Sequence, residues 1–188
     1  MTLLECFLAC LGLLLTPGPT NTLLALASAT QGRRAALRLM LAEVTGYSVA
    51  VLPLLVFGQM LVVAAPAAVT ALTFAASVWV AYLAVALWRV VPEGAGAAVI
   101  TWRRVFVTTL LNPKGLLLGL FILPSVAGAS VPLLMGLFVL GIAIAASAWV
   151  LLGALVQRGG QRPLRRGAAV ILAGLAAFLF QSGVVAAI

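Results

Sequence analysis

Histidine and aspartate are absent from the 188 residues, acids number only three, lysine occurs once, and charged residues of both signs make up 7% of the chain. Each shortage excludes something. Without histidine or aspartate a histidine–carboxylate metal centre cannot be assembled, so no metal is expected. The two cysteines, Cys6 and Cys10, stand four apart in one apolar run, a spacing that suits packing on a helix rather than a disulfide or a metal pair. No Gly-rich Walker loop is present to hold a nucleotide, and no other cofactor is implied. So few charges could not cover the water-facing surface of a soluble domain.

What is present is hydrophobic: 65% of the positions are apolar, and they gather into runs. Six runs, from Leu3 to Ala29, Leu39 to Ala64, Val69 to Val90, Val105 to Leu123, Leu133 to Val156 and Ala168 to Ile188, each approach or exceed the ~20 residues that cross a bilayer as a helix. The expected fold is an all-α integral membrane protein of six transmembrane helices. It forms one domain over 1–188, with no soluble part left to house a catalytic unit, and no enzyme activity is expected.

The net charge of +8 is compatible with a nucleic-acid partner, but its distribution is not. Arg33, Arg34 and Arg38 lie between the first two runs, Arg89, Arg103 and Arg104 between the third and fourth, and Arg158, Arg162, Arg165 and Arg166 between the last two. The connections near Pro66 and from Pro124 to Pro132 carry no charge. By the positive-inside bias the arginine-bearing connections are cytoplasmic, which puts both termini outside a cytoplasmic (inner) membrane and needs no nucleic acid. Met1-Thr2-Leu3-Leu4-Glu5 has no basic residue ahead of its apolar run, so the first run reads as a retained span rather than a secretory signal. Glu5 and Glu93 lie near span ends and read as solvated.

Two of the runs are broken near their middle. The first contains Thr16-Pro17-Gly18-Pro19-Thr20-Asn21 and the fourth Asn112-Pro113-Lys114-Gly115. Leu14-Leu15-Thr16-Pro17-Gly18 is echoed by Leu110-Leu111-Asn112-Pro113-Lys114-Gly115, and three spans followed by three make such a relation an inverted 3+3 repeat, with halves of about 1–95 and 96–188. Pro113 lies nine residues beyond Arg104, roughly 14 Å at ~1.5 Å per residue, near the middle of a ~30 Å core. Proline removes an amide donor, and Gly18 and Gly115 are expected to allow unusual backbone shapes. The freed backbone groups, with Thr16, Thr20, Asn21, Asn112 and the deep Tyr47, are expected to line a small polar cavity.

Lys114 gives that cavity its sign. A lysine at the bilayer centre costs ~2.5–3.5 kcal/mol on insertion scales, so it should face the interior and have a partner. Candidates are a substrate carboxylate, the carbonyls of a broken helix, or Glu43. Glu43 is in turn either a proton-linked or amine-binding group or a snorkelling carboxylate paired with an arginine. Ala42, Gly46 and Ala50, and likewise Gly141 and Ala145, form small-residue stripes suited to helix packing or to a homodimer. Pro53 is expected to kink the second span. Trp79, Tyr82, Trp88, Trp102 and Trp149 read as an interfacial aromatic belt.

Thr16-Pro17-Gly18-Pro19, Gly32-Arg33-Arg34-Ala35, Gly46, Leu110-Leu111-Asn112-Pro113-Lys114-Gly115 and Leu123-Pro124 together resemble the LysE/RhtB family of amino-acid exporters, over essentially the whole chain. The resemblance implies gradient-driven efflux of amino acids or close relatives. Many members carry an aspartate where this chain has Tyr47, with an acid one turn earlier at Glu43, and a polar or aromatic pair where it has Ser125-Val126. The expectation is a secondary, proton-coupled exporter of amino acids or similar small zwitterions. The alternatives are a carrier of another solute or ion, a membrane thiol-redox enzyme using Cys6 and Cys10, and a scaffold.

Overall fold

Prolines mark the breaks in two of the apolar runs. The ring of a proline pushes the preceding residue out of the α region, and this happens at Thr16 (ψ 145°) before Pro17, Gly18 (ψ 174°) before Pro19 and Asn112 (ψ 121°) before Pro113. Pro19 and Pro113 then open new helices, where a missing N–H costs nothing. The computed structural model describes residues 1–88, 99–156 and 161–187; Arg89, Glu93 and Arg158 lie outside the described residues. Its elements are α1 (Leu3–Leu15), α2 (Pro19–Gln31), α3 (Arg33–Ala64), α4 (Pro66–Trp88), α5 (Trp102–Leu110), α6 (Pro113–Leu117), α7 (Val131–Val156) and α8 (Gln161–Ala187). A π turn over Leu118–Ile122 and a 3-10 turn over Leu123–Ser125 follow α6, and no strand occurs among the described residues.

Among the described residues two helices are long and apolar enough to cross a bilayer, α3 over Arg33–Gly58 and α7 over Val131–Leu155. Two bent pairs bring the number to four if each is one span: α1 with α2, bent by 59°, and α5 with the stretch Pro113–Ser125, bent by 44°. Both bends fall at the breaks expected from sequence. Length and apolarity together are those of a helical membrane protein.

The described arginines are not in loops. Gly32 alone separates α2 from α3, turning the chain at φ 88°, a conformation that favours glycine. Arg33, Arg34 and Arg38 are therefore already on α3, Arg103 and Arg104 form the first turn of α5, and Arg162, Arg165 and Arg166 stand on α8. Glu5 is exposed but not merely solvated: its Oε2 accepts the Thr2 N–H at 2.9 Å while Thr2 Oγ1 accepts the Glu5 N–H at 3.2 Å, a reciprocal cap that starts α1. Pro53 sits inside an α3 that runs unbroken from Arg33 to Ala64.

Among the described residues the buried apolar side chains form two clusters. One includes Leu23 and Leu24 of α2, Ala36 and Leu39 of α3, Val105 of α5 and Val150 of α7. The other includes Cys6, Cys10 and Leu14 of α1, Tyr47 and Val51 of α3, Leu118 after α6 and Phe138 of α7. Along α1–α2, α3 and α5–α6 the buried polar residues Thr20, Asn21, Glu43, Thr109, Asn112 and Lys114 fall between members of the two clusters. A polar layer thus separates two apolar ones. Around it, α1 and α2 pack on α7, α5 packs on α3, and α4 lies along α8.

Small residues let these helices close on one another, as the stripes suggested. A Cβ on Gly46 would lie 2.9 Å from Thr109 Cβ and 3.0 Å from Phe106 O, and one on Gly141 3.3 Å from Leu14 Cδ1. The tightest crossing among the described glycines was not part of either stripe: a Cβ on Gly153 would run into the backbone of Ala25, so α7 and α2 meet main chain to main chain. Overpacking against backbone has no flexible atom to yield, and costs of ~1–3 kcal/mol or more follow. Gly153→Ala should therefore lower the thermal midpoint of the purified protein in detergent. Gly174→Ala, which meets nothing within 4 Å, should leave it unchanged or raise it slightly.

Candidate functional site

The site begins with an unfinished helix. The last carbonyls of an α-helix have no partner in its own ladder, and at the end of α1 each finds one elsewhere. The last ladder bond runs from the Thr16 N–H to Gly12 O at 3.2 Å, and Leu13 O, the first of the four beyond it, shares that N–H at 3.3 Å. Leu14 O accepts from Asn21 Nδ2 at 2.7 Å and Lys114 Nζ at 3.4 Å, and Thr16 O from the same two groups at 2.8 and 2.5 Å. Leu15 O accepts from Trp149 Nε1 at 3.2 Å. Side chains from α2, α6 and α7 therefore converge on one helix end, and the ammonium lies where the helix dipole is negative.

Gly18 makes room for it. Its backbone is extended (φ −170°), which any residue adopts, but a Cβ there would stand 3.1 Å from both Cε and Nζ of Lys114. The expected role of Gly18 in an unusual backbone shape is thus corrected to one of space. Gly115 is corrected likewise: it is helical, and a Cβ would make ordinary contacts of 3.8 Å with Tyr47, Ala50 and Val51.

From Lys114 a directed network runs to α3 and α5. Asn112 Oδ1 accepts the backbone N–H of Lys114 at 3.1 Å, capping α6. The Asn112 Nδ2 hydrogens go to Tyr47 Oη at 2.9 Å and Thr20 Oγ1 at 3.2 Å. Thr109 donates its hydroxyl to Val105 O at 2.9 Å, so across the 3.2 Å contact between Thr109 and Thr20 it is Thr20 that donates. Among the described residues no acceptor takes the Tyr47 O–H, whose ring lies edge-on to Phe138 with centroids 5.7 Å apart.

Glu43 lies one helical turn before Tyr47. It is 1% exposed, so it does not snorkel, and its Oε2 has no hydrogen-bond partner. Lys114, 7% exposed, is the opposite charge that acts on it, without a contact to that oxygen. A buried carboxylate with an empty acceptor and a buried ammonium thus flank the network. Such groups are costly unless partnered, which makes them candidates for work rather than for stability.

Of the residues singled out from sequence, Thr20, Asn21, Tyr47, Asn112 and Lys114 come together, with Glu43 beside them and Pro17, Pro19 and Pro113 shaping the breaks. Thr16 contributes only its carbonyl. Its side chain is exposed and its hydroxyl donates to Leu13 O at 2.7 Å, because a threonine at a helix end can serve the carbonyl one turn back. Thr109 and Trp149 were missed. Thr109 reads as one more small residue in an apolar run, and Trp149 was assigned to an aromatic belt, whereas its indole caps α1. Trp79 similarly donates to Thr108 Oγ1 at 3.1 Å. Cys6 and Cys10 are free and buried, and Cys6 Sγ reaches Ile122 O at 3.7 Å.

No protein-family model, curated protein or solved structure matches this chain. The functional reading rests on the residues themselves.

Asn112 holds three elements together, so Asn112→Ala should lower the thermal midpoint by the equivalent of ~1–2 kcal/mol for the lost cap, with more from the stranded Thr20 and Tyr47 partners. Thr16→Val, which leaves the carbonyl in place, should stay within about 0.5 kcal/mol of the parent protein. Equal losses in both variants would contradict this assignment of roles.

Proposed function

We propose that this chain is a secondary exporter of amino acids or closely related small zwitterions across the cytoplasmic membrane, of the LysE/RhtB kind, and that it is proton-coupled. The observation that carries the reading is the buried layer in which two broken helices meet, with one ammonium in a hydrogen-bonded network and one carboxylate that makes no ion pair with it. A zwitterion presents the complementary pair of charges. Broken helices whose ends face a midplane site are a recurring basis for solute binding in secondary transporters.

Six spans arranged as a 3+3 inverted repeat, with the arginine-bearing helix starts in the cytoplasm and both termini outside, complete the proposal. Its support is the crosswise packing. If 1–95 and 96–188 are related by a twofold axis, the first broken span must meet the fifth span as the fourth meets the second. Packing of α1–α2 on α7 and of α5 on α3 fits that requirement, and α4 on α8 pairs the third span with its own counterpart. Lys114 meets the substrate carboxylate, Thr20, Asn21, Asn112 and Tyr47 supply hydrogen bonds, and Glu43 takes up the proton or the amine. Alternating access then consists of opening one apolar layer or the other while the polar layer holds the solute. The thiol-redox alternative is weakened by the burial of both cysteines, 2% and 1% exposed.

Proteoliposomes loaded with a panel of amino acids should release at least one of them faster than protein-free vesicles. Lys114→Ala should reduce that release to the protein-free rate while reconstituting normally. Glu43→Gln should make it indifferent to an imposed proton gradient. Unchanged release by a normally reconstituted Lys114→Ala protein would remove the site from the account.

A further inference from the structure

The end of α1 is a cation site that the chain fills with its own side chain. Leu14 O and Thr16 O point at one position, the negative end of the α1 dipole lies behind them, and the Lys114 ammonium occupies that position 3.4 and 2.5 Å away. Asn21 Nδ2 bonds the same two carbonyls and holds them in line. The missing side chain of Gly18 leaves the room that the ammonium takes. Nothing else about the position is specific to lysine. What the carbonyls require is a compact positive group carrying N–H donors.

We propose that this carbonyl pair is a binding site for a primary ammonium, occupied by Lys114 in the absence of solute and passed to the ammonium of the solute when Lys114 turns to its carboxylate. The proposal rests on the exporter reading and adds to it the place of the amine, which is the end of α1 rather than Glu43. It also yields a selection rule. A zwitterion exchanges both charges at once, so neither the carbonyl pair nor Lys114 is left without a partner. A simple carboxylate would draw Lys114 away and empty the carbonyl pair, and a simple amine would displace Lys114 with no anion to receive it. Buried groups stranded in either way are penalised strongly. Glu43 Oε2, without a hydrogen-bond partner, is left free for the proton.

The test uses the purified full chain in detergent. Lys114→Ala removes Cγ, Cδ, Cε and Nζ, which n-propylammonium replaces atom for atom. Millimolar n-propylammonium should raise the thermal midpoint of Lys114→Ala and leave the parent protein unmoved, because there the position is filled. Tetramethylammonium, a cation without N–H donors, should do nothing to either. If Lys114→Ala does not fold, expression and extraction with n-propylammonium present should recover folded protein. No shift and no recovery, an equal shift in the parent protein, or an equal effect of tetramethylammonium overturns the site. A second arm addresses the exchange: among solutes that the proteoliposomes release, N-trimethylation should abolish release, and release of a trimethylated analogue overturns the hand-over. The first arm reads binding alone, so the ammonium site can stand or fall whether or not the chain exports anything.

Discussion

Four carbonyls at the end of α1 lie outside its helical ladder, and in a bilayer neither lipid nor bulk water would take them up. The rest of the layer is arranged around that deficit. Asn21 folds back from α2, Lys114 reaches across from α6, and Trp149 comes in from α7. Each donor also fixes the element that carries it, so the two broken rods are joined at their breaks. The same contacts explain why Gly18 has no side chain and why α6 starts where it does, with Asn112 capping the turn that holds Lys114.

Because the apolar clusters lie on either side of this layer, the molecule has a natural plane of division. Apolar packing between helices is non-directional and can be re-made after small shifts, whereas the hydrogen-bonded layer has a fixed donor order from Asn112 through Thr20 to Thr109. A carrier of the proposed kind needs this combination: a site that keeps its geometry while the packing to one side or the other loosens. In that proposal Lys114 is the movable part, a single charge on a flexible stem, held by hydrogen bonds to main-chain oxygen rather than locked in an ion pair with Glu43.

Much of this was legible in the residues. Pro17, Pro19 and Pro113 each stand beside glycine or a polar residue, where X-Pro sterics meet no opposing helix preference, so both interruptions could be placed from sequence, whereas Pro53 in its apolar run stays inside α3; and a lone lysine in an apolar run has to be buried and partnered. Small-residue stripes announced the crossings at Gly46 and Gly141 for the same reason. The partners were not legible. Whether Lys114 meets Glu43, a solute or a carbonyl depends on the bend between α1 and α2, which no periodicity encodes. Trp149 is separated from Leu15 by most of the chain, and its apolar neighbours suggested only an interface. The arginines were placed in connections because they lie between apolar runs, whereas the described ones stand on helices that begin before the apolar run does. Gly153 lies outside any recognisable stripe, and only the crossing of α7 over α2 makes its missing side chain matter.

Lys114 is the only lysine in the chain, so labelling lysine with 15N at Nζ marks a single atom. With threonine carbonyls labelled 13C, solid-state NMR of the full chain in lipid bilayers without solute can detect directly whether that nitrogen lies beside a threonine carbonyl. The account predicts strong dipolar dephasing from Thr16, lost when Gly18→Ala crowds the ammonium out. Absence of that coupling in the parent protein would contradict the claim that Lys114 closes the end of α1.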